Sequence, residues 1–393
     1  MNRLITPDHP SSVSPPREHR SIAPKPGTGA SVKDLLKRWI KKLPFFFEMD
    51  FVRRKIYDSP LFDFTVKPLA ERLETWPRAL VLDITNRCNA KCSWCPQPGL
   101  EDLGAMKMPL FHKIIDDYAV RGGAIRFGTF GEPLMDKTFA EKIRYLKKYP
   151  SITKVEVVTN AFFLNEKIAP VLLENNVDVE ISLDELEKDT FEEIKKMDYD
   201  VVRANILNFL ELNDRAADPV KVNFRVKSSL SREATMSHEL YAKIVSHRCT
   251  VELTPIEEDS ITTWAGRFDK EKFYEEHMHS STIVKPHNNK QYNKASPAPC
   301  NQPWKWMVVY YDGRVVLCCV DMFSSSVLGN LQENSIAEVW NGPAFAGLRK
   351  KMVRRERFEV PLCQNCDLHL GWQNLKTYYD PQGRFLPSRK FIS

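Results

Sequence analysis

Residues 82–96, LDITNRCNAKCSWCP, run from a β-forming stretch straight into a polar loop that holds three of the nine cysteines. Cys88, Cys92 and Cys95 stand in CxxxCxxC spacing, with nothing apolar enough around them to form a core. Three thiols are one short of a structural zinc site, which would have to borrow a distant ligand. They suit a cubane iron–sulfur cluster with one iron left unligated by protein.

Working outward, LDIT ends the first of six strand-like runs: ALVLDIT, AIRFGTF, KVEVVTN, VDVEISL, VKVNFRVK and TVELTP. Between them lie segments of helical spacing, such as FAEKIRYLKKY and VVRANILNFLELN. Strands alternating with helices predict βαβ units on a parallel sheet, and six units in succession predict an α/β fold, a partial (β/α)6 TIM-like barrel. An open doubly wound sheet is the alternative. After a polar stretch at about 257–299, WMVVYYDGRVVLCC predicts a β-hairpin, with Asp312-Gly313 in a tight turn that has positive φ at both central residues. It opens a small C-terminal α+β domain of a hairpin plus helices, which holds Cys300, Cys318, Cys319, Cys363 and Cys366. In isolation that set suits zinc or a cluster.

Composition bounds the function. Hydrophobic residues make up 42% and charged residues 27% of the chain, ordinary for a globular protein, and no run of about 20 apolar residues suggests membrane insertion. The amino terminus lacks an apolar signal core, so a cytoplasmic protein is expected, in a compartment where thiols seldom pair. The net charge of +6 is concentrated between Ser31 and Tyr57, and the near balance elsewhere argues against an extended nucleic-acid surface. SVKDLLKRWIKKL there reads as a basic amphipathic helix that caps the fold.

The CxxxCxxC loop resembles that of the radical S-adenosylmethionine superfamily. The resemblance implies that the cofactor chelates the open iron and, on reduction, yields a 5′-deoxyadenosyl radical that abstracts hydrogen from substrate. GTFGEP is similar to the family's GGEP motif through Gly131, Glu132 and Pro133, with Phe130 in place of the first glycine. By the same resemblance Trp94, Asn160 and Ser182 surround the cofactor, and Arg203 and Arg225 are candidates to neutralise its carboxylate. GRVVLCC, LGNL, SIAEVWN and LCQNCD resemble the SPASM and twitch domains. That implies a single auxiliary 4Fe-4S cluster on Cys300, Cys318, Cys363 and Cys366, with Cys319 spare. Two 4Fe-4S clusters and S-adenosylmethionine are therefore the expected cofactors, with an electron donor such as flavodoxin or ferredoxin as partner and no nucleic acid.

The spacing is similar to that of the aminocyclitol and sugar dehydrogenase branch, which implies oxidation of a small polar substrate with the auxiliary cluster as electron acceptor. A base is then needed, and Glu258, His277, His279 and His287 are candidates by position. Besides a non-catalytic iron–sulfur scaffold or sensor that binds the cofactor without turnover, two enzyme alternatives remain. One is an epimerase, for which Cys319 or Cys249 would donate hydrogen; the other is a peptide-modifying maturase, for which residues 31–78 lack a winged-helix pattern. Trp264 and Arg267 suit recognition of a sugar or phosphate. The expected organisation is a disordered arm (1–30), a basic helical extension (31–78), the barrel (79–256), a linker or cover (257–299), the auxiliary domain (300–372) and a tail (373–393).

Overall fold

A computed structural model describes residues 75–254, 256, 261–277 and 300–368. The amino-terminal arm and basic helix, Glu258, His279, His287, the side chain of His277 and the carboxyl-terminal tail lie outside the described residues.

All six expected runs form strands: β1 (Ala79–Leu82), β2 (Gly123–Phe127), β3 (Ile152–Thr159), β4 (Val177–Ser182), β5 (Val222–Val226) and β6 (Thr250–Leu253). Each pairs in parallel with the next. The strand order 6-5-4-3-2-1 never reverses, so it has no switch point of the kind a doubly wound sheet requires. The architecture is a partial (β/α)6 barrel.

The connecting helices are α1 (Met108–Ala119), α2 (Phe139–Leu146), α3 (Ala169–Glu174), α4 (Lys188–Lys195), α5 (Tyr199–Arg215), α6 (Arg232–Ser237) and α7 (Glu239–Val245). Strand alternation divides the molecule into two faces. Ile125, Phe127, Val157, Val179, Ile181, Val222 and Phe224 face the helices and join one core with Phe111, Phe139, Ile206 and Phe209. The opposite face of the same strands carries Arg126, Glu156, Glu180, Ser182, Arg225 and Glu252. The interior face of β1 to β6 therefore carries charged and polar groups beside apolar ones such as Val81 and Val158, while the large apolar core lies in the outer layer.

The carboxyl-terminal region extends the same sheet. β7 (Trp306–Val309) pairs parallel with β1, placing Val308 opposite Val81. β8 (Arg314–Val316) and β9 (Val327–Asn330) follow antiparallel. The expected hairpin is present, but its turn differs from the two-residue primed turn. Gly313 alone has positive φ (+89), and its N–H donates to the Tyr310 carbonyl. This is a three-residue loop closed by a left-handed glycine, and it needs only one residue in that region.

Further helices are α8 (Lys270–His277), α9 (Ile336–Trp340), α10 (Pro343–Val353) and α11 (Pro361–Gln364). A capping box between Ser335 and Glu338 starts α9. The Ile336 N–H donates to Asp117 on α1 at 2.6 Å, tying this helix to the barrel. Among the described residues no helix is long and apolar enough to cross a membrane.

Candidate active site

β1 delivers the cysteine loop to the carboxyl end of the barrel, the end at which such folds place their chemistry. Cys88, Cys92 and Cys95 line a cavity of about 540 Å³, and so do Cys300, Cys318, Cys319, Cys363 and Cys366. Two cysteine sets about 200 residues apart in sequence thus face one space. All nine cysteines are free thiols.

Burial pushes Cys88 up to about 12 and Cys95 up to about 11, and raises Cys92 as well. In the second set burial pushes Cys366 up to about 12 and raises Cys318, Cys319 and Cys363. Such thiols are neutral by themselves, and a Lewis-acidic metal must displace their protons to bind. Among the described residues no three His, Cys, Asp or Glu side chains close on a single ion.

The GEP turn sits at the end of β2. Gly131 is forced by close approach, because a Cβ there would meet the Thr85 carbonyl oxygen at 2.2 Å. The buried Glu132 carboxylate accepts hydrogen bonds from Asn160 N–H (2.7 Å), Thr159 Oγ1 (2.8 Å) and Leu134 N–H (3.1 Å). Burial still pushes it up to about 7, so a cation arriving in the cavity would meet a carboxyl poised to ionise. Pro133 is buried behind this turn and is not on the cavity wall. Phe130 lines the cavity and packs on Tyr310, with ring centroids 5.2 Å apart. It joins the turn to the hairpin through an apolar contact that glycine would lack.

Trp94 and Asn160 both reach the wall. Asn160 Nδ2 donates to Asn89 at 2.9 Å and lies 3.9 Å from the Cys88 sulfur. Ser182 Oγ lies 3.5 Å from Asp184, whose carboxylate is 2.6 Å from Lys195 Nζ. Against the opposing effect of burial, Lys195 and Lys227 hold Asp184 below the usual carboxylate range. Arg225 lines the cavity, 3.3 Å from Glu180, which Arg126 also holds at 2.8 Å.

Three expected residues are elsewhere. Arg203 lies on α5, on the outer layer, where its charge acts on Tyr199 and Glu239. Cys249 is off the wall, and its thiol donates to the Ile244 carbonyl. Arg267 stacks over Phe323 at 5.3 Å instead of entering the cavity, whereas Trp264 does line it and donates to the Trp94 carbonyl at 3.1 Å. Sequence reasoning missed Arg126, Lys195, Lys227, Lys305 and Arg357, all on the wall. Strand parity was the available signal for Arg126, which sits between the helix-facing Ile125 and Phe127.

Comparison with known proteins agrees with this geometry. Residues 82–219 match the radical SAM superfamily and residues 300–367 match SPASM, an iron-sulfur cluster-binding domain. A GTP 3',8-cyclase of Lactiplantibacillus plantarum is 31% identical over 147 residues, 36% of this chain and 40% of that protein. One from Synechocystis is 29% identical over 170 residues, 42% of this chain and 50% of that protein. The chain thus spans half or less of the length of these curated relatives. Among solved structures, native anSMEcpe with bound AdoMet and Cp18Cys peptide aligns with a TM-score of 0.50 at 16% identity, over 75% of this chain and 89% of that one. BtrN in complex with AdoMet and 2-DOIA aligns with a TM-score of 0.48 at 20% identity, over 74% and 92%. The chain is built of a radical SAM domain followed by a SPASM iron–sulfur domain, and the cofactors these domains take are S-adenosylmethionine, a 4Fe-4S cluster and auxiliary iron–sulfur.

Proposed function

We propose that this chain is a radical SAM oxidoreductase that dehydrogenates a small polar molecule, a carbohydrate or aminocyclitol, inside the cavity shared by the two cysteine sets. In this reading Cys88, Cys92 and Cys95 hold the first cluster, and Cys300, Cys318, Cys363 and Cys366 hold one auxiliary cluster. The domain limits are those expected from the sequence, 79–256 for the barrel and 300–372 for the auxiliary domain. Bound beside the first loop, the cofactor supplies a carbon radical able to take a hydrogen atom from an unactivated C–H bond.

The chain's own residues do the rest. Glu132 receives the cofactor's ammonium, Gly131 keeps the backbone close to it, and Trp94, Asn160 and Ser182 fix its remaining edges. Arg126, Glu180, Arg225 and Glu252 present charge of both signs along the interior face of β2 to β6, which suits hydroxyl and amine groups better than an apolar substrate. Oxidising a secondary alcohol to a ketone removes one hydrogen atom, one proton and one electron. Glu252 is a carboxylate on the wall that can take the proton, and the auxiliary cysteines, which line the same space, would hold the iron–sulfur cluster that accepts the electron. The observation that carries this reading is the single cavity bounded by both cysteine sets.

A second reading, epimerisation, is favoured by Cys319, a thiol on the cavity wall within reach of the charges of Arg126 and Lys305. Cys249 offers no such support. The cyclase activity of the curated relatives belongs to proteins of which this chain spans half or less, so it is not carried over. A cytoplasmic location with a flavodoxin or ferredoxin donor completes the proposal. Incubating anaerobic, reduced enzyme with S-adenosylmethionine and candidate polyols tests it. A product two hydrogens lighter, formed with 5′-deoxyadenosine, supports dehydrogenation; an isomer of unchanged mass overturns it in favour of the second reading.

A further inference from the structure

Beyond β6 the chain makes a tight hook at residues 262–268. Three residues in a row, Trp264 (φ +49), Ala265 (+58) and Gly266 (+84), stand in the left-handed region. Glycine is at ease there, but tryptophan and alanine are not, and such a backbone persists only where its surroundings over-determine it. Gly266 N–H and Phe268 N–H close the hook by donating to the Thr263 carbonyl at 2.9 and 3.0 Å.

The surroundings that hold it belong to both cysteine sets. On one side, Thr262 Oγ1 and Thr263 N–H donate to the two oxygens of Asp367 at 2.6 and 3.0 Å, and Thr263 Oγ1 donates to the Asn365 carbonyl at 3.3 Å. Asn365 and Asp367 flank Cys366 in the chain. Gly266 lies against the same loop, since a Cβ there would stand 2.9 Å from Asn365 Cβ. Ala265 packs, with Cys300 and Cys318, on the apolar cluster that contains Cys363. On the other side, Trp264 Nε1 donates at 3.1 Å to the carbonyl of Trp94, which stands between Cys92 and Cys95. The Trp264 ring packs, with Cys95, on the cluster that contains Phe130 and Tyr310. Pairing of β1 with β7 joins the two regions at their base, but Cys95 and Cys366 lie on loops outside those strands, and the hook joins these loops directly.

We propose that Trp264 is a positioning residue that sets the spacing of the two cysteine sets across the cavity, the strained hook acting as the brace between them. This deepens the oxidoreductase reading, in which hydrogen abstraction beside one set and electron acceptance at the other must serve a single substrate. The brace itself consists of hydrogen bonds and packing of the chain alone. A left-handed tryptophan has few ways to relax while both ends of the hook are held, so movement of one loop is passed to the other.

The test uses the full chain with its clusters reconstituted and needs no substrate. Trp264→Phe keeps a ring on the wall and deletes the indole N–H, whereas Gly266→Val crowds Asn365 from a position off the wall. Hydrogen exchange read by mass spectrometry is expected to quicken roughly fivefold in both variants, in segment 92–97 and in segment 363–367 alike, the loss of about one hydrogen bond's worth of protection. Pulsed EPR on the two reduced clusters is expected to give one narrow distance in the unmodified chain and a broadened one in both variants. Unchanged exchange and an unchanged distance in both variants overturn the proposal. So does a response of Trp264→Phe confined to 92–97, since the indole would then cap its own neighbour and brace nothing. Loss of iron in both variants overturns it as well, because the hook would then build the clusters instead of spacing them. If the unmodified chain takes no iron on the carboxyl-terminal cysteines, the oxidoreductase reading fails separately, and hydrogen exchange alone still decides whether the hook couples the two loops.

Discussion

Asp83 sits fully buried between the cysteine loop and the GEP turn, one oxygen accepting from Phe130 N–H and the other without a hydrogen-bond partner. Burial pushes it up to about 8 from an ordinary 3.8. A carboxyl whose folded value is raised favours the fold fully below its unfolded value, and that advantage is lost as pH rises through the folded value. Stability of the metal-free chain is therefore expected to fall between about pH 4 and pH 8, and Asp83→Asn to flatten that fall in urea titrations. The Lys195–Asp184 pair makes the opposite point. Both side chains are under 5% exposed and 2.6 Å apart, so removing one leaves a buried charge. Lys195→Met is expected to cost about 3–5 kcal/mol in the same titrations. At the cysteines, Cys88→Ala should abolish 5′-deoxyadenosine formation, whereas Cys363→Ala should leave cofactor cleavage running without product.

At the scale of elements, β2 to β6 each turn an apolar face to the helices and a more polar face to the barrel interior, and that polar face is what makes the barrel a site. Phe224 on β5 is fully buried against the helices, and Phe224→Ala is expected to destabilise by about 3–5 kcal/mol without touching the cavity wall. The adjacent Arg225 faces the opposite way, so Arg225→Met should lower turnover far more than stability; equal losses in both would contradict that division. The Ser335–Glu338 box fixes the first turn of α9 over α1. Ser335→Ala should cost about 1 kcal/mol, read as a lowered unfolding midpoint.

Across the whole molecule, the six strands, their parallel order and the two cysteine sets followed from local patterns, whereas the meeting of those sets in one cavity is seen only in the fold. β-branched runs, helical spacing and CxxxCxxC are all written in short stretches. What stayed hidden depends on tertiary neighbours. Arg203 and Arg225 look equivalent as isolated arginines, yet α5 carries one onto the outer layer and β5 carries the other to the wall. Both Cys249 and Cys319 are candidate hydrogen donors in the sequence, Cys319 the stronger because it stands beside a cluster ligand, and of the two the fold brings only Cys319 to the wall. Lys305 reads as an ordinary lysine beside tryptophan until β7 pairs with β1 and buries it. The hairpin turn was located correctly from Asp312-Gly313, but its type depends on how far the strands continue past it.

The central claim is that one cavity couples a radical-generating cluster to an auxiliary electron acceptor. Iron and sulfide quantitation with Mössbauer spectra on anaerobically reconstituted protein tests it most directly, followed in the same sample by reduction with S-adenosylmethionine and assay for 5′-deoxyadenosine. The account predicts about eight irons per chain, as two cubanes, with deoxyadenosine formed. About four irons, with zinc on the carboxyl-terminal cysteines, would contradict it by removing the electron acceptor.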